Sequence, residues 1–141
     1  MEYKGRIRTF SLESMGRKRV GHQFESLSRK IIGAAIKVHK ELGPGFMESL
    51  YEEALKIELS EDGMNHESQK EIKIFYHNQE IGTHRLDLLV ENAIVVELKA
   101  VQDLADIQYA QVRSYLKATG LKVGLLLNFA KPTLEIKRIV N

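Results

Sequence analysis

The chain has 141 residues, of which 43% are hydrophobic and 28% are charged, the size and composition of one compact globular domain. It contains no Cys, which excludes a disulfide framework, a thiolate zinc site, a cysteine nucleophile and an iron–sulfur cluster. The sequence also lacks an apolar run long enough for a bilayer and an apolar stretch behind its basic N-terminus. We therefore expect a cytoplasmic protein without a signal peptide, outside the membrane.

Charge is distributed unevenly along the chain. The formal net charge is +2, but residues 1–30 carry eight Lys or Arg and three Glu, a net charge of +5. This basic segment includes the run Arg17, Lys18 and Arg19, which could contact nucleic-acid phosphates. Composition favours a solvated, poorly ordered terminus instead. We expect residues 1–22 to form a basic arm and residues 23–141 to form a single domain.

Two helices are predicted in the first half of the chain. Apolar residues recur at spacings of three and four from Gln23 to Leu42, which indicates an amphipathic helix. Proline cannot continue a helix, so Gly43-Pro44-Gly45 ends it, and a second helix starts near Phe46 and closes near Asp62-Gly63. The predicted apolar stripe of this second helix is Met47, Leu50, Tyr51, Ala54, Leu55 and Leu59.

The second half of the chain alternates strands with one helix. Three strand-like runs, which we interpret as a meander, are Glu71 to Tyr76, Ile81 to Val90 and Ala93 to Ala100. Asp103 is predicted to cap a helix that continues through Ala118. The run from Lys122 to Phe129 suits a strand buried on both faces, and Leu134 to Val140 suits an edge strand. The order α, α, β, β, β, α, β, β predicts a mixed α/β (α+β) fold in which helices cover a sheet.

Charged side chains interrupt two of the apolar strands. Glu97 and Lys99 lie two residues apart and so project from the same face of their strand. Ionised groups are costly to bury and normally have a partner or a metal. Asp87 interrupts the preceding strand, and two carboxylates on neighbouring strands can hold a hard cation such as Mg²⁺. A third carboxylate, Glu48, lies in the first turn of the second helix, where the helix dipole favours its charged form.

A structural interpretation of the same residues is open. Glu97 and Lys99 can form an ion pair on a solvated face, with Asp87 as another surface residue, and each carboxylate taken alone favours that view. The ordered combination with a following helix favours a site. That helix places Gln111 and Tyr115 four residues apart on one face. The Gln111 amide either hydrogen-bonds to a loop or points at the same site as Glu97.

The ordered set of motifs resembles the PD-(D/E)XK nuclease superfamily, and within it the GxxExxY family, over about Phe24 to Val140. E-x-K alone is common by chance, but the ordered set is much more specific. The resemblance implies a restriction-endonuclease-like αβββαβ core and phosphodiester hydrolysis dependent on Mg²⁺ or Mn²⁺. Leu86 stands where the superfamily's name has a proline. The matching segments are Leu42-Gly43-Pro44-Gly45, Gly45 to Tyr51, Asp87, Glu97-Leu98-Lys99, the Q-x-x-x-Y from Gln111 to Tyr115, and Gly124 to Phe129.

The resemblance also implies a metal centre. Asp87 and Glu97 would be metal ligands, and the backbone carbonyl of Leu98 would supply a third oxygen. Glu48 would complete the coordination directly or through water.

The remaining implied roles concern the attacking water and the phosphate. Lys99 would orient the water and stabilise charge in the transition state, and the metal would polarise the scissile phosphate. Gln111 and Tyr115 would steady the lysine, the water or a substrate phosphate. Tyr51 is open between core packing and support of the site, with packing favoured.

The metal hypothesis makes a geometric demand on the turn between the two carboxylate-bearing strands. A plain two-residue hairpin loop at Glu91-Asn92 would place Asp87 opposite Val96 and leave Glu97 on the other side of the sheet. A shared metal therefore requires an odd-length loop or a β-bulge, with Asn92 a good candidate for a left-handed conformation.

Two functional hypotheses remain at this point. The first is a Mg²⁺-dependent nuclease, for which DNA is the favoured substrate, acting as a homodimer if it cuts both strands. The second is a catalytically silent nuclease-fold module that binds nucleic acid or a protein partner. Three carboxylates would repel phosphate in the absence of metal, which favours the enzyme. The motifs distinguish neither internal from terminal cleavage nor one sequence preference from another.

Overall fold

The computed structural model describes residues 12–141, with side chains from Phe24 onward. The order of helices and strands is the predicted one. The elements are α1 (Leu12–Leu42), α2 (Glu48–Glu61), β1 (His66–Tyr76), β2 (Gln79–Val90), β3 (Ile94–Lys99), α3 (Asp106–Thr119), β4 (Val123–Asn128) and β5 (Glu135–Val140).

The five strands form one mixed sheet in the order β1-β2-β3-β4-β5. Neighbouring strands are antiparallel except for β3 and β4, which are parallel. A parallel pair needs a long crossover connection, and α3 supplies it between β3 and β4. The predicted fold class, a mixed sheet flanked by helices, is therefore confirmed.

The sheet has a hydrophobic core on each face. On one face, α1 and α2 pack against alternate residues of the central strands, such as Val96 and Leu125. On the other face, Val112 and Leu116 of α3 pack against the intervening residues, such as Val95. Strand β4 is buried along its whole length, as its continuous apolar sequence predicts.

Helix α1 is longer than the sequence pattern predicts. It begins at Leu12 rather than near Gln23. Residues 1–11 of the predicted basic arm, and the side chains of Arg17, Lys18 and Arg19, lie outside the described residues. No helix in the described part of the chain combines the length and the apolar character needed to cross a bilayer.

The buried face of α2 is narrower than predicted. Tyr51, Leu55 and Leu59 are buried, whereas Met47 and Leu50 are 72% and 48% exposed. Helix α2 packs against α1 and the sheet through one face only, so the residues on the adjoining face remain in solvent. The predicted stripe is therefore wrong for its first two members.

The start of α3 also differs from the prediction. The helix begins at Asp106 after Ala105, and Asp103 is not its cap. The side chain of Gln108 accepts a hydrogen bond from the backbone N–H of Ala105 at 2.6 Å, which closes the first turn instead. Asp103 accepts a hydrogen bond from Nζ of Lys131 at 3.3 Å, so its carboxylate is held by the loop between β4 and β5.

The contact between α3 and the sheet depends on Gly124, because a Cβ at this position would lie 2.7 Å from Cγ1 of Val112. We expect Gly124→Ala to lower the free energy of unfolding by about 1–3 kcal/mol, since α3 must shift to admit the methyl group. Gly33→Ala is the matched control, because nothing lies within 4 Å of a Cβ there and the position is inside α1. It should stabilise the protein by about 0.5–1 kcal/mol. Equal effects of both substitutions in urea denaturation would contradict the packing argument.

Candidate active site

The turn between β2 and β3 has an odd number of residues. Val90 faces Ile94, so the turn consists of Glu91, Asn92 and Ala93. Glu91 and Asn92 are both left-handed, each with φ of 53°. The predicted odd-length loop and the predicted left-handed Asn92 are thus confirmed. This register brings the two carboxylate-bearing positions of β2 and β3 opposite each other.

Side chains replace backbone pairing where the two carboxylates meet. The last backbone pair joins Leu88 and Val96, and the next positions are Asp87 and Glu97. The N–H of Asp87 donates to Oε2 of Glu97 at 2.9 Å, and the N–H of Leu98 donates to Oδ2 of Asp87 at 2.9 Å. Each carboxylate is therefore held by the backbone of the opposite strand. These two hydrogen bonds fix the orientation of both side chains.

The carboxylate of Glu97 is buried, with only 4% of the residue exposed. Burial and the charge of Asp87 raise its pKa, while the N–H of Asp87 and the ammonium of Lys99 lower it; the result is a pKa of about 8. A buried acid beside a second acid is a site that a cation would stabilise. The oxygen donors present are the type that Mg²⁺ and Mn²⁺ prefer.

Lys99 lies two residues after Glu97 on the same face of β3 and is half-buried. Its ammonium lowers the pKa of Glu97, which places its charge near that carboxylate. Among the described side chains, Lys99 has no hydrogen-bond or ion-pair partner. Its charge is therefore available to a group that enters the site.

Glu48 is the first residue of α2 and is exposed. Its Oε2 accepts a hydrogen bond from the N–H of Ala100 at 3.3 Å, so it lies beside the end of β3. Within the described residues, no group of three or more His, Asp or Glu is arranged as a ready metal site. Mg²⁺ is often held by one or two carboxylates and keeps several waters. The paired carboxylates of Asp87 and Glu97 are donors of the kind that such an ion takes.

Helix α3 presents Tyr115 to the same region. Its ring is half-buried and stacks on His84 with centroids 4.2 Å apart. Burial, with the charges of Glu97 and Asp87, raises the pKa of Tyr115 to about 12, so the hydroxyl remains protonated near the carboxylates. Gln111 lies one turn earlier and is exposed, and its side chain makes no hydrogen bond with the described residues.

A fourth carboxylate, Glu52, lies one helical turn after Glu48 and was not predicted from the sequence. Burial raises its pKa, a hydrogen bond from Gln69 lowers it, and the charge of Asp87 raises it further. Nε2 of Gln69 donates to both carboxylate oxygens of Glu52 at 3.1 Å. The i, i+4 spacing of the two glutamates was the sequence signal that could have identified it.

Tyr51 positions the start of α2. It is fully buried, and its ring stacks on Phe129 with centroids 4.5 Å apart. Its hydroxyl donates to the carbonyl of Gly43 and accepts from the N–H of Phe46 at 3.1 Å. These contacts make Tyr51 a packing residue that fixes the loop before Glu48.

Asn128 holds the segment that follows Lys99. The residue is fully buried. Its Oδ1 accepts from the N–H of Val101 at 3.1 Å, and its Nδ2 donates to the carbonyl of the same residue at 2.8 Å. This paired contact attaches the exit of β3 to the end of β4.

A mixed sheet that carries an acid on β2 and an acid-x-lysine on β3 has the arrangement of a restriction-endonuclease-like domain. The profile of the PD-(D/E)XK nuclease superfamily matches residues 25–139, and the chain belongs to this superfamily.

Comparison with solved structures supports the fold. The chain is similar to the crystal structure of SSO0001, with a TM-score of 0.53 and 18% sequence identity, over 66% of this chain and 49% of that chain. The matched region therefore covers about half of that structure. No curated protein matches the chain at a significant level.

The raised pKa of Glu97 predicts a pH-dependent stability in metal-free buffer. The folded state keeps the Glu97 proton up to a pKa of about 8, whereas the unfolded chain loses it near 4.5. The unfolded state therefore binds fewer protons between these values, and the free energy of unfolding should fall as pH rises through this interval. Urea denaturation with a chelator, at a series of pH values, measures the slope.

Glu97→Gln should remove most of that slope, because the amide does not titrate. Glu53→Gln is the control, since Glu53 is exposed and paired with Lys56 at 3.0 Å, and it should leave the slope unchanged. An unchanged slope in Glu97→Gln would contradict the assignment.

Proposed function

We propose that the protein is a nuclease that hydrolyses phosphodiester bonds with the help of Mg²⁺ or Mn²⁺, and that DNA is its substrate. The observation that carries this proposal is that Asp87 and Glu97 each accept a hydrogen bond from a backbone N–H of the other's strand. Glu97 is also buried, with 4% of the residue exposed, beside this second acid. Within the superfamily, we assign the chain to the GxxExxY family. Its Gly45, Glu48 and Tyr51 support that assignment.

Asp87, Glu97 and the backbone carbonyl of Leu98 would hold the metal ion, with Glu48 acting directly or through water. A bound divalent ion supplies positive charge that polarises the scissile phosphate and makes water a better nucleophile at neutral pH. The hydrogen bonds from the backbone to Asp87 and Glu97 orient both carboxylates before an ion arrives. Such prior orientation lowers the cost of assembling the site.

The other residues of the site act on the water and the phosphate. The ammonium of Lys99 orients the attacking water and stabilises the negative charge that develops on the phosphate oxygens. The water oxygen bonds to phosphorus and the bond from phosphorus to the leaving sugar oxygen breaks. One proton of the attacking water passes to solvent, and the leaving sugar oxygen takes up a proton from solvent. The hydroxyl of Tyr115 stays protonated because its pKa is raised to about 12, so it can donate to the phosphate. Gln111 offers an amide one turn away.

Binding of the nucleic-acid backbone is a further part of the proposal. The basic run of Arg17, Lys18 and Arg19 would contact phosphates outside the site, in a region of net positive charge. Two copies of the chain would act together on duplex DNA, since one site cuts one strand at a time. We place this activity in the cytoplasm.

The activity is tested with purified protein, circular and linear duplex DNA, single-stranded DNA and RNA, each with Mg²⁺, Mn²⁺ or a chelator. We expect metal-dependent cleavage that Asp87→Asn and Lys99→Ala each lower by at least about 10²-fold, because each removes charge stabilisation from the transition state. Comparison of circular with linear substrates separates internal from terminal cleavage.

Asp62→Asn and Lys117→Ala are matched controls, because both residues are exposed and lie at the ends of α2 and α3. They should retain the wild-type rate. If the folded wild-type protein cuts no substrate and binds no divalent ion, the nuclease proposal fails. The protein would then be a nuclease-fold module that binds nucleic acid or a protein partner without cleavage.

A further inference from the structure

The long hairpin of β1 and β2 has a register shift near its tip, between Ile74 and Phe75, and a separate distortion opposite Asp87. The register is the same on both sides of this second distortion, since Ser68 pairs with Leu88 and Lys70 pairs with Leu86. The intervening residues, Gln69 and Asp87, do not pair. Gln69 is left-handed, with φ of 52°. A side-chain-bearing residue in this conformation inside a strand is strained and needs support from its surroundings.

The alternation of side chains between the two faces of the sheet is interrupted in β2 at the same point. Residues two apart in a regular strand project from the same face. Leu86, however, packs in the core beneath α3, and Leu88 packs in the core beneath α1 and α2. The strand therefore rotates at Asp87, the residue between them. The left-handed Gln69 lies directly across from this rotation.

This local rotation has a consequence for the site. Asp87 does not pair with β1, and its N–H binds the carboxylate of Glu97 while its own carboxylate reaches the N–H of Leu98. The side chain of Gln69 donates to both oxygens of Glu52, which ties α2 to the hairpin beside Asp87. Gln69 is thus connected to the site through its backbone and through its amide.

We propose that Gln69 is a positioning residue of this site. Its left-handed backbone turns Asp87 toward Glu97, and its amide holds Glu52 beside the two carboxylates. The catalytic meaning of this role rests on the proposed nuclease function, whereas the positioning itself is a property of the metal-free protein. Gln69 is exposed, so its hydrogen bonds to Glu52 add little to the stability of the fold.

Two substitutions of Gln69 distinguish an effect on the stability of the fold from an effect on the position of Asp87. Valine strongly disfavours a positive φ, so Gln69→Val would draw this position into the extended region and allow a regular pair with Asp87. The fold would lose a strained residue while Asp87 turned away from Glu97. Gln69→Gly keeps the left-handed backbone without strain and removes only the amide. The two variants therefore test the backbone and the side chain in turn.

The experiment titrates each variant with Mn²⁺, followed by electron paramagnetic resonance without nucleic acid, and records amide NMR spectra and thermal unfolding. We expect Gln69→Val to weaken Mn²⁺ binding by about 10-fold to 100-fold, the range found when a supporting contact of a metal ligand is lost. Its melting temperature should not fall, and the amide resonances of Asp87 and Leu98 should move. Gln69→Gly, which loses only the hydrogen bonds to Glu52, should weaken Mn²⁺ binding less than Gln69→Val does. Lys73→Val is the control, since Lys73 is exposed and pairs regularly with Thr83.

Wild-type Mn²⁺ affinity and unmoved Asp87 and Leu98 resonances in Gln69→Val would overturn the proposal. A lower melting temperature of Gln69→Val together with weaker Mn²⁺ binding would also overturn it, since Gln69 would then act only on the fold. If the wild-type protein binds no Mn²⁺ and cuts no nucleic acid, the proposed function fails. The NMR comparison still decides whether Gln69 positions Asp87.

Discussion

The arrangement of the site depends on one reciprocal pair of hydrogen bonds between β2 and β3. Asp87 and Glu97 are each held by a backbone N–H of the other's strand, and this is possible only because three residues form the turn between β2 and β3. One residue fewer would move one of the carboxylates to the opposite face of the sheet. The left-handed Glu91 and Asn92 provide the turn geometry that sets this register.

Elements from both faces of the sheet meet where β2 and β3 stop pairing. Helix α2 approaches from one face with Glu48, and its position is fixed by the stacking of Tyr51 on Phe129. Helix α3 approaches from the other face with Tyr115, and the absence of a side chain at Gly124 permits that close contact. A site made in this way depends on long-range packing more than on any single element.

The features that depend on local periodicity could be predicted from the sequence. The order of elements follows from apolar spacing, and the need for an odd-length turn follows from the alternation of strand residues. Long-range contacts decided the rest. Asp103 is held by Lys131 from a distant loop, and Met47 is exposed because α2 packs through one face. The left-handed Gln69 carries no signal in a strand pattern, since Gln has no special preference for that conformation.

The electrostatics of the site bear on the choice between a nuclease and a silent module. Burial and the charge of Asp87 disfavour the ionised form of Glu97, and within the described residues the N–H of Asp87 and the ammonium of Lys99 offset only part of this cost. A module that only bound nucleic acid would gain nothing from this pair, because the acids repel phosphate. A divalent cation would reverse both effects at once, since it compensates the buried charge and attracts the phosphate. This balance of charge supports the proposal that the site binds a divalent cation together with a phosphate-bearing substrate.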